Sequence, residues 1–320
     1  MPPRRAIIRV PSWLPIGVGA ALTSLLAIAA AGGARLPPWP TPPRDVTPAE
    51  VERAAASATA AWQRAVRLIA DARHTSPDDA LIGRETSPLV TTLGEIEAKR
   101  VSASPSWPAT FVREFHRAGL RRGDVVAASF SGSFPALNLA VASAAQAMGM
   151  RLVAVSSVTA SSFGATEPGF TWPELEVRIV NAGILGVASA GVSAGGGGDR
   201  ADDLDEDGRA LARAIAARCA HQLGATLIDP DTFDEAIRGR LDVFDAARGR
   251  SPLAAFVNVG GTQAALGRSA AVLKVQNGWL PREPFDDSAG RGLVALMVER
   301  GVPVLHILNV RDLALRWGVL

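Results

Sequence analysis

Six short apolar runs, at 124–130, 152–156, 184–190, 226–228, 254–259 and 302–308, constrain this chain more than any other feature of its sequence. Most are too continuously apolar to keep one face in water, which is the pattern of strands buried on both faces. Stretches of helical periodicity separate them, at 135–148, 173–182, 205–223, 231–247 and 288–300. Strand followed by helix, repeated, predicts right-handed crossovers and a parallel sheet covered on both sides. The expected fold is α/β, a three-layer arrangement with a mostly parallel sheet, over residues 47–320. Two helices lead into it. One runs from 47 to 74, with Thr47 as N-cap, Pro48 at the first position and Glu50 three residues on from the cap. The other runs from 106 to 118 and ends near Gly119. The run Gly195 to Gly198 reads as a flexible loop.

Residues 14–34 are uncharged, rich in Ala, Leu, Ile and Gly, and long enough as a helix to cross a bilayer core. Arg4, Arg5 and Arg9 precede them, which predicts a cytoplasmic segment 1–13 and a single-pass transmembrane signal anchor. Everything beyond Arg35 is then extracytoplasmic at the cell membrane. A cleaved signal peptide is the alternative, because Ala29-Ala30-Ala31 is a site of the small-residue type that signal peptidases accept. Residues 35–46, with proline at 37, 38, 40, 42 and 43, form a stiff spacer that lifts the domain off the membrane.

Basic and acidic residues number 33 and 31, a net charge of +2 that gives no electrostatic footprint for nucleic acid. A lone cysteine, Cys219, rules out an internal disulfide and a Cys-based zinc cage. His74, His116 and His221 lack metal-ligand spacing. Without G-x-G-x-x-G, a Walker loop or H-E-x-x-H, no cofactor and no metal are expected.

In sheets of this kind ligands bind beyond the carboxyl ends of the strands. After the first strand comes Ser129-Phe130-Ser131-Gly132-Ser133-Phe134-Pro135, with Ser133 placed to cap the next helix and small residues that leave backbone N–H groups facing an anion. With Asn138, the residues Ser131, Gly132 and Ser133 form a candidate carboxylate or phosphate site. The strand, turn and helix are faintly similar to sugar-isomerase phosphosugar-binding domains. The segment is not a G-x-S-x-G elbow. Upstream, Glu85, Thr91, Thr92 and Lys99 are candidates to hold a polar ligand. Lysine is rare in this chain, standing only at positions 99 and 274 against 31 arginines, so Lys99 is expected to supply a compact, tunable ammonium that arginine lacks. Asp203, Asp205, Asp207 and Gly208 match the opening of a calcium loop, but Ala214 stands where that loop needs its closing carboxylate. The acidic stretch is therefore read as a solvated helix start with Asp205 as cap. Asn258, Gly260 and Gly261 follow another strand in a turn that again offers backbone donors. His306 lies inside an apolar strand and reads as a hydrogen-bonded core residue before it reads as a base.

Taken together, the anchor and proline spacer, Gly83 to Thr92 with Ala98-Lys99, Ser131-Gly132-Ser133-Phe134-Pro135-Ala136-Leu137-Asn138, Ala160 to Glu174, Val257 to Gly261 and Pro303 to Asn309 resemble the poly-gamma-glutamate system protein family. The resemblance implies a bacterial accessory protein of poly-gamma-glutamate (capsule) biosynthesis and export, with the polymer and its synthase and export proteins as partners, and it brings no catalytic residues with it. Two functions are expected on this basis. One is a membrane-anchored accessory protein that binds the polymer's carboxylates through N–H groups and arginines. The other is an enzyme that trims or transfers the polymer by serine–lysine acyl transfer, drawing on Ser131 or Ser133, Glu85, Lys99 or His306. A weaker alternative is a phosphosugar-binding protein.

Overall fold

The computed structural model describes residues 46–269, 273, 275–281 and 291–320. The expected segments 1–13 and 14–34, and the spacer 35–46 except for Val46, lie outside them. Among the described residues no helix is long and apolar enough to cross a membrane.

Helix α1 (Pro48–Arg73) starts as its sequence dictates. The Thr47 hydroxyl accepts from the Glu50 N–H at 3.3 Å and the Glu50 carboxylate accepts from the Thr47 N–H at 2.8 Å. After the short strand β1 (Val90–Thr92) come α2 (Ile96–Ser102) and α3 (Trp107–Arg117). In α3, Trp107, Phe111 and Phe115 recur every fourth residue on one face, and their rings stack at centroid distances of 5.5 and 6.0 Å.

The alternating region follows: β2 (Val125–Phe130), α4 (Pro135–Ala147), β3 (Arg151–Ser157), β4 (Ala160–Ser161), α5 (Trp172–Asn181), β5 (Gly191–Ser193), α6 (Glu206–Leu223), β6 (Thr226–Ile228), α7 (Phe233–Arg248), β7 (Leu253–Val259), α8 (Gln263–Leu266), β8 (Gly278–Trp279), α9 (Leu293–Glu299), β9 (Val304–Ile307) and α10 (Val310–Arg316). The main sheet has the order β6-β5-β3-β2-β7-β9-β8, parallel throughout except for β8, which runs antiparallel on β9. The α/β class and mostly parallel sheet match the expectation. Alternate residues of each central strand enter two separate apolar clusters. Val126, Ala128 and Phe130 join α1, α3, α4 and α5, whereas Val125 and Ala127 join α7 and α9. This two-sided burial is why the strands read as continuous apolar runs.

Three local expectations are corrected. The strand expected at 184–190 forms at Gly191–Ser193 instead; upstream, the Ile184 carbonyl and Gly186 N–H are taken by the Gln146 amide. Ser133 does not cap α4, whose N-cap is Phe134 without a side-chain bond. The glycine run is not a loose loop: Gly197–Asp199 form a 3-10 turn, and the Gly198 N–H donates to Gln263 Oε1 at 2.6 Å. Asp205 caps α6 as expected, accepting from the Gly208 N–H at 2.8 Å. Cys219, on the same helix, is fully buried, and burial pushes its thiol up to about 12, so it is inert.

The glycine turn is fastened from below by an ion pair with no access to water. Arg240 on α7 donates from Nε to Asp199 Oδ2 at 2.7 Å and from Nη2 to Asp199 Oδ1 at 2.8 Å, and both residues have 0% exposure. The same guanidinium donates to Ser129 Oγ at 3.1 Å, Ser157 Oγ at 2.8 Å and Ser193 Oγ at 2.8 Å, at or next to the carboxyl ends of β2, β3 and β5. Removing one partner of such a pair strands a buried charge, a loss of about 3–5 kcal/mol. Arg240→Met is therefore expected to lower the stability measured by urea unfolding by that amount. The double variant Arg240→Met with Asp199→Asn should recover part of it, because asparagine is neutral and tolerates the left-handed φ of 65° found at Asp199. A double variant no more stable than the single one would contradict this.

Candidate functional site

The strand order reverses direction of travel at β2. From there the chain runs outward through β3, β5 and β6, then returns to place β7 on the other side of β2. The segments leaving β2 and β7 therefore part at the carboxyl edge of the sheet, where open α/β sheets hold ligands. A cavity of about 390 Å³ lies there, lined by residues that follow β2 (Ser131, Ser133, Phe134), β3 (Thr159, Ala160, Ser161), β5 (Gly196, Gly197), β7 (Gly261, Thr262, Gln263) and β9 (Leu308), together with Thr91 to Glu95, Ala98 and Lys99 from the upstream segment.

Close backbone packing explains the glycines in these strings. Gly260 has φ +86°, and a Cβ there would sit 2.0 Å from Ser131 Oγ, so the β7 and β2 turns touch only because this residue is glycine. The upstream segment is tied to the chain after β3: β1 pairs in parallel with β4, the Gly83 N–H donates to the Phe163 carbonyl at 3.0 Å, and the Ala165 N–H donates to the Gly132 carbonyl at 2.8 Å. These ties carry α2, and with it Lys99, over the β2 turn.

Lys99 is 3% exposed. Its Nζ donates to the Ser133 carbonyl at 2.6 Å, meets Ser161 Oγ at 2.8 Å, and lies 4.0 Å from the centroid of the Phe134 ring. No carboxylate stands within ion-pair distance among the described residues, and burial holds the amine down at about 7. Near neutrality a large part of the population is therefore the free amine, with a lone pair able to take the Ser161 hydroxyl proton. Two carboxylates line the cavity, and each is engaged: Asp203 accepts from the Gly197 N–H and Glu95 lies 3.9 Å from Arg311. Thr159 also borders the cavity and is 2% exposed; its Oγ1 is turned away from solvent and has no hydrogen-bond partner among the described residues.

Of the expected site residues, Thr91, Thr92, Lys99, Ser131, Ser133 and Gly261 meet in this one cavity. Four others support it without lining it. The Asn138 amide donates to the Ser131 carbonyl at 2.8 Å, the Asn258 amide donates to the Gly260 carbonyl at 2.9 Å, and Gly132 and Gly260 are packing positions. Glu85 is exposed and stands outside. Lysine and serine do come together, but through a different hydroxyl from those expected. Ser133 presents its carbonyl to Lys99, while its Oγ accepts from the Ser161 N–H at 3.1 Å and Ser131 Oγ accepts from the Ser133 N–H at 3.2 Å. Ser161 is the hydroxyl at the amine. His306 is not a base at this site: it is fully buried, does not line the cavity, accepts at Nδ1 from the Asn258 amide at 3.0 Å, and is held down at about 4 by burial. Ser161 and Thr159 carry no signal of their own in the sequence, since only the fold brings them near the amine, and the Gly196-Gly197 pair stands out in the sequence only as part of an expected loop.

Comparison with family models and with curated proteins returns no match. Among solved structures, the chain is similar to an O-ureido-L-serine synthase mutant with O-ureido-L-serine bound, at 16% identity over 69% of this chain and 68% of that one, with a TM-score of 0.18. A score that low carries no argument about this protein.

The Lys99 amine links stability to pH with a definite sign. An unfolded lysine titrates near 10.4 (roughly), so between about 7 and 10 the unfolded chain holds a proton that the folded one has released, and stability rises with pH across that window. Below about 7 both states are protonated and the fold bears the full cost of the buried ammonium. Relative to Lys99→Met, the wild type should therefore gain in urea midpoint between about pH 6.5 and about pH 9, as the folded amine sheds its proton. A difference independent of pH would contradict the burial of the amine.

Proposed function

We propose that this protein serves a bacterial poly-gamma-glutamate system as a membrane-anchored accessory protein, and that the cavity at the carboxyl edge of its sheet binds the glutamyl carboxylates of the polymer or of its building block. The observation that carries the binding reading is the convergence on one cavity of Ser131, Ser133 and Gly261 from the turns after β2 and β7 and of Thr91, Thr92 and Lys99 from β1 and α2. Hydroxyls and turn N–H groups are donors that a carboxylate accepts from, and binding an anion next to Lys99 favours the ammonium form that burial alone disfavours. The link to poly-gamma-glutamate, the anchor and the extracytoplasmic address rest on the sequence resemblance and on the apolar segment 14–34 with its flanking arginines.

A second reading, amide cleavage or transfer on the same polymer, is supported by the 2.8 Å contact between Lys99 Nζ and Ser161 Oγ. A free amine there can take the serine proton as the hydroxyl attacks a carbonyl carbon.

The two readings separate in one experiment, in which the full chain is mixed with poly-gamma-glutamate and followed by light scattering. Binding should be weakened by salt. It should also fall by roughly three- to tenfold in Ser133→Ala, the size of one lost hydrogen bond. Chain length that stays constant supports the accessory reading. Shortening that disappears in Ser161→Ala supports the enzyme. Neither binding nor shortening would contradict both.

A further inference from the structure

Parallel strands bring their amino ends to one edge of a sheet, here the edge opposite the cavity, and this edge collects arginines. The neighbours β3, β2, β7 and β9 share it, with Val125 in register with Arg151 and Leu253. Arg121 and Arg122 precede β2, Arg151 opens β3, Arg248 and Arg250 precede β7, and Arg300 precedes β9. Contacts join them into one surface. The Arg122 side chain lies across Gly149, where a Cβ would meet its Nη1 at 2.7 Å, and Arg151 Nη2 donates to the Arg248 carbonyl at 2.6 Å. The carboxylates beside these strand entries are each engaged. Asp124 accepts from the Arg121 N–H at 2.9 Å, Asp245 from Arg248 at 2.6 Å and Glu299 from Arg291 at 2.7 Å. Arg122, Arg151, Arg250 and Arg300 are exposed and have no carboxylate within ion-pair distance among the described residues.

A cation at a helix C-terminus is favourable on its own account, which explains Arg248 and Arg300 at the ends of α7 and α9. Arg122, Arg151 and Arg250 lie outside the helices, so no helix end accounts for them. The chain also enters the domain here: Val46 and the first turn of α1 line a cavity of about 370 Å³ with Arg53, Arg121 and Arg122. Glu50 lines it too, but its carboxylate is held in the capping box with Thr47. Beyond the carboxyl ends of β5 and β6 the charge has the other sign, with Asp202, Asp203, Asp229 and Asp231.

We propose that the amino edge of the sheet is a docking surface for an anionic lipid bilayer, with Arg122, Arg151, Arg250 and Arg300 facing lipid phosphates and the cavity opening away from the bilayer. Phosphate accepts from the forked N–H groups of arginine, and cations clustered on one face draw a domain toward a negatively charged surface. The point of chain entry favours a bilayer over a soluble polyanion. Residues 14–34 are long and apolar enough to cross one, and residues 35–45, with a reach of at most about 40 Å, are all that separates them from Val46 at this edge. The inference rests on the anchor part of the proposed function and is independent of what the cavity binds.

The test floats the full chain with vesicles of phosphatidylcholine alone and of phosphatidylcholine mixed with phosphatidylglycerol, modifies arginines with phenylglyoxal, and reads each site by peptide mapping. The chain should float with both. In the anionic vesicles Arg122, Arg151 and Arg250 should be protected severalfold, an effect that high salt removes. Arg84, whose side chain is 76% exposed on the segment before β1, should react equally in the two. Arg122→Gln and Arg250→Gln, both at exposed positions, should each lower the docked-to-free ratio of the anchored domain by roughly fivefold. Equal reactivity in both vesicles, with the chain afloat, would overturn this inference and leave the anchor standing. Flotation with the anionic vesicles only, abolished by the two substitutions together, would uphold the surface and defeat the anchor. Flotation with neither would defeat both. Protection by added poly-gamma-glutamate, with none from the anionic lipid, would make this edge a polymer site and overturn its assignment to a bilayer.

Discussion

The site depends on one topological constraint: β2 lies at the centre of a parallel sheet, and the chain leaves it toward one edge before returning to the other. Neighbouring parallel strands end at the same edge, and where the crossovers diverge no connection covers the gap. The turns after β2 and β7 meet there, closely enough that Gly260 has no room for a side chain against Ser131. The glycine run after β5 completes the lining, and Arg240 fixes it through Asp199 while reaching three serines at the ends of β2, β3 and β5. A guanidinium fully removed from water must be hydrogen-bonded all round, so this pair does more to specify the position of the turn than to stabilise the fold.

At the cavity, Lys99 is the chemically unusual group that this frame supports. Its energetics run opposite to those of Arg240: one cation is buried with a carboxylate and three hydroxyls, the other with none of the former and one of the latter. The first is satisfied and static. The second is held partly deprotonated, which makes it either a binding partner that gains charge when an anion arrives or a nucleophile poised near neutral pH. The acyl-transfer reading draws on that property directly, and the polymer-binding reading draws on it together with the donors around the cavity.

Much of the fold was legible because buried parallel strands impose apolar runs that few other structures share. Val125–Phe130 and Leu253–Val259 are the clearest, and the capping box at Thr47 and Glu50 located the first helix. The expectation slipped at β5. The apolar residues 184–190 look like a strand, yet the pairing falls on the three residues after them, because register is set by neighbouring strands and not by local propensity. The site was half legible. Lys99 stood out by its rarity, and Ser131, Ser133 and Gly261 by following strands. Ser161 and Thr159 did not, since a serine or threonine among many is marked only by what it touches. Glu85 lies only six residues before Thr91, yet it is exposed and does not line the cavity. The glycine run misled because composition suggests freedom, whereas the buried Asp199–Arg240 pair removes it.

The protonation state of Lys99 is the most direct point of attack. With ¹⁵N-labelled lysine in the full chain, two Nζ resonances are expected, and Lys99→Arg assigns them by deletion. The buried amine should titrate with a midpoint of about 7 while the fold persists. A midpoint near the ordinary lysine value of about 10.4 would mean that the ammonium is solvated or paired, and would remove the chemical basis for a reactive amine in this cavity.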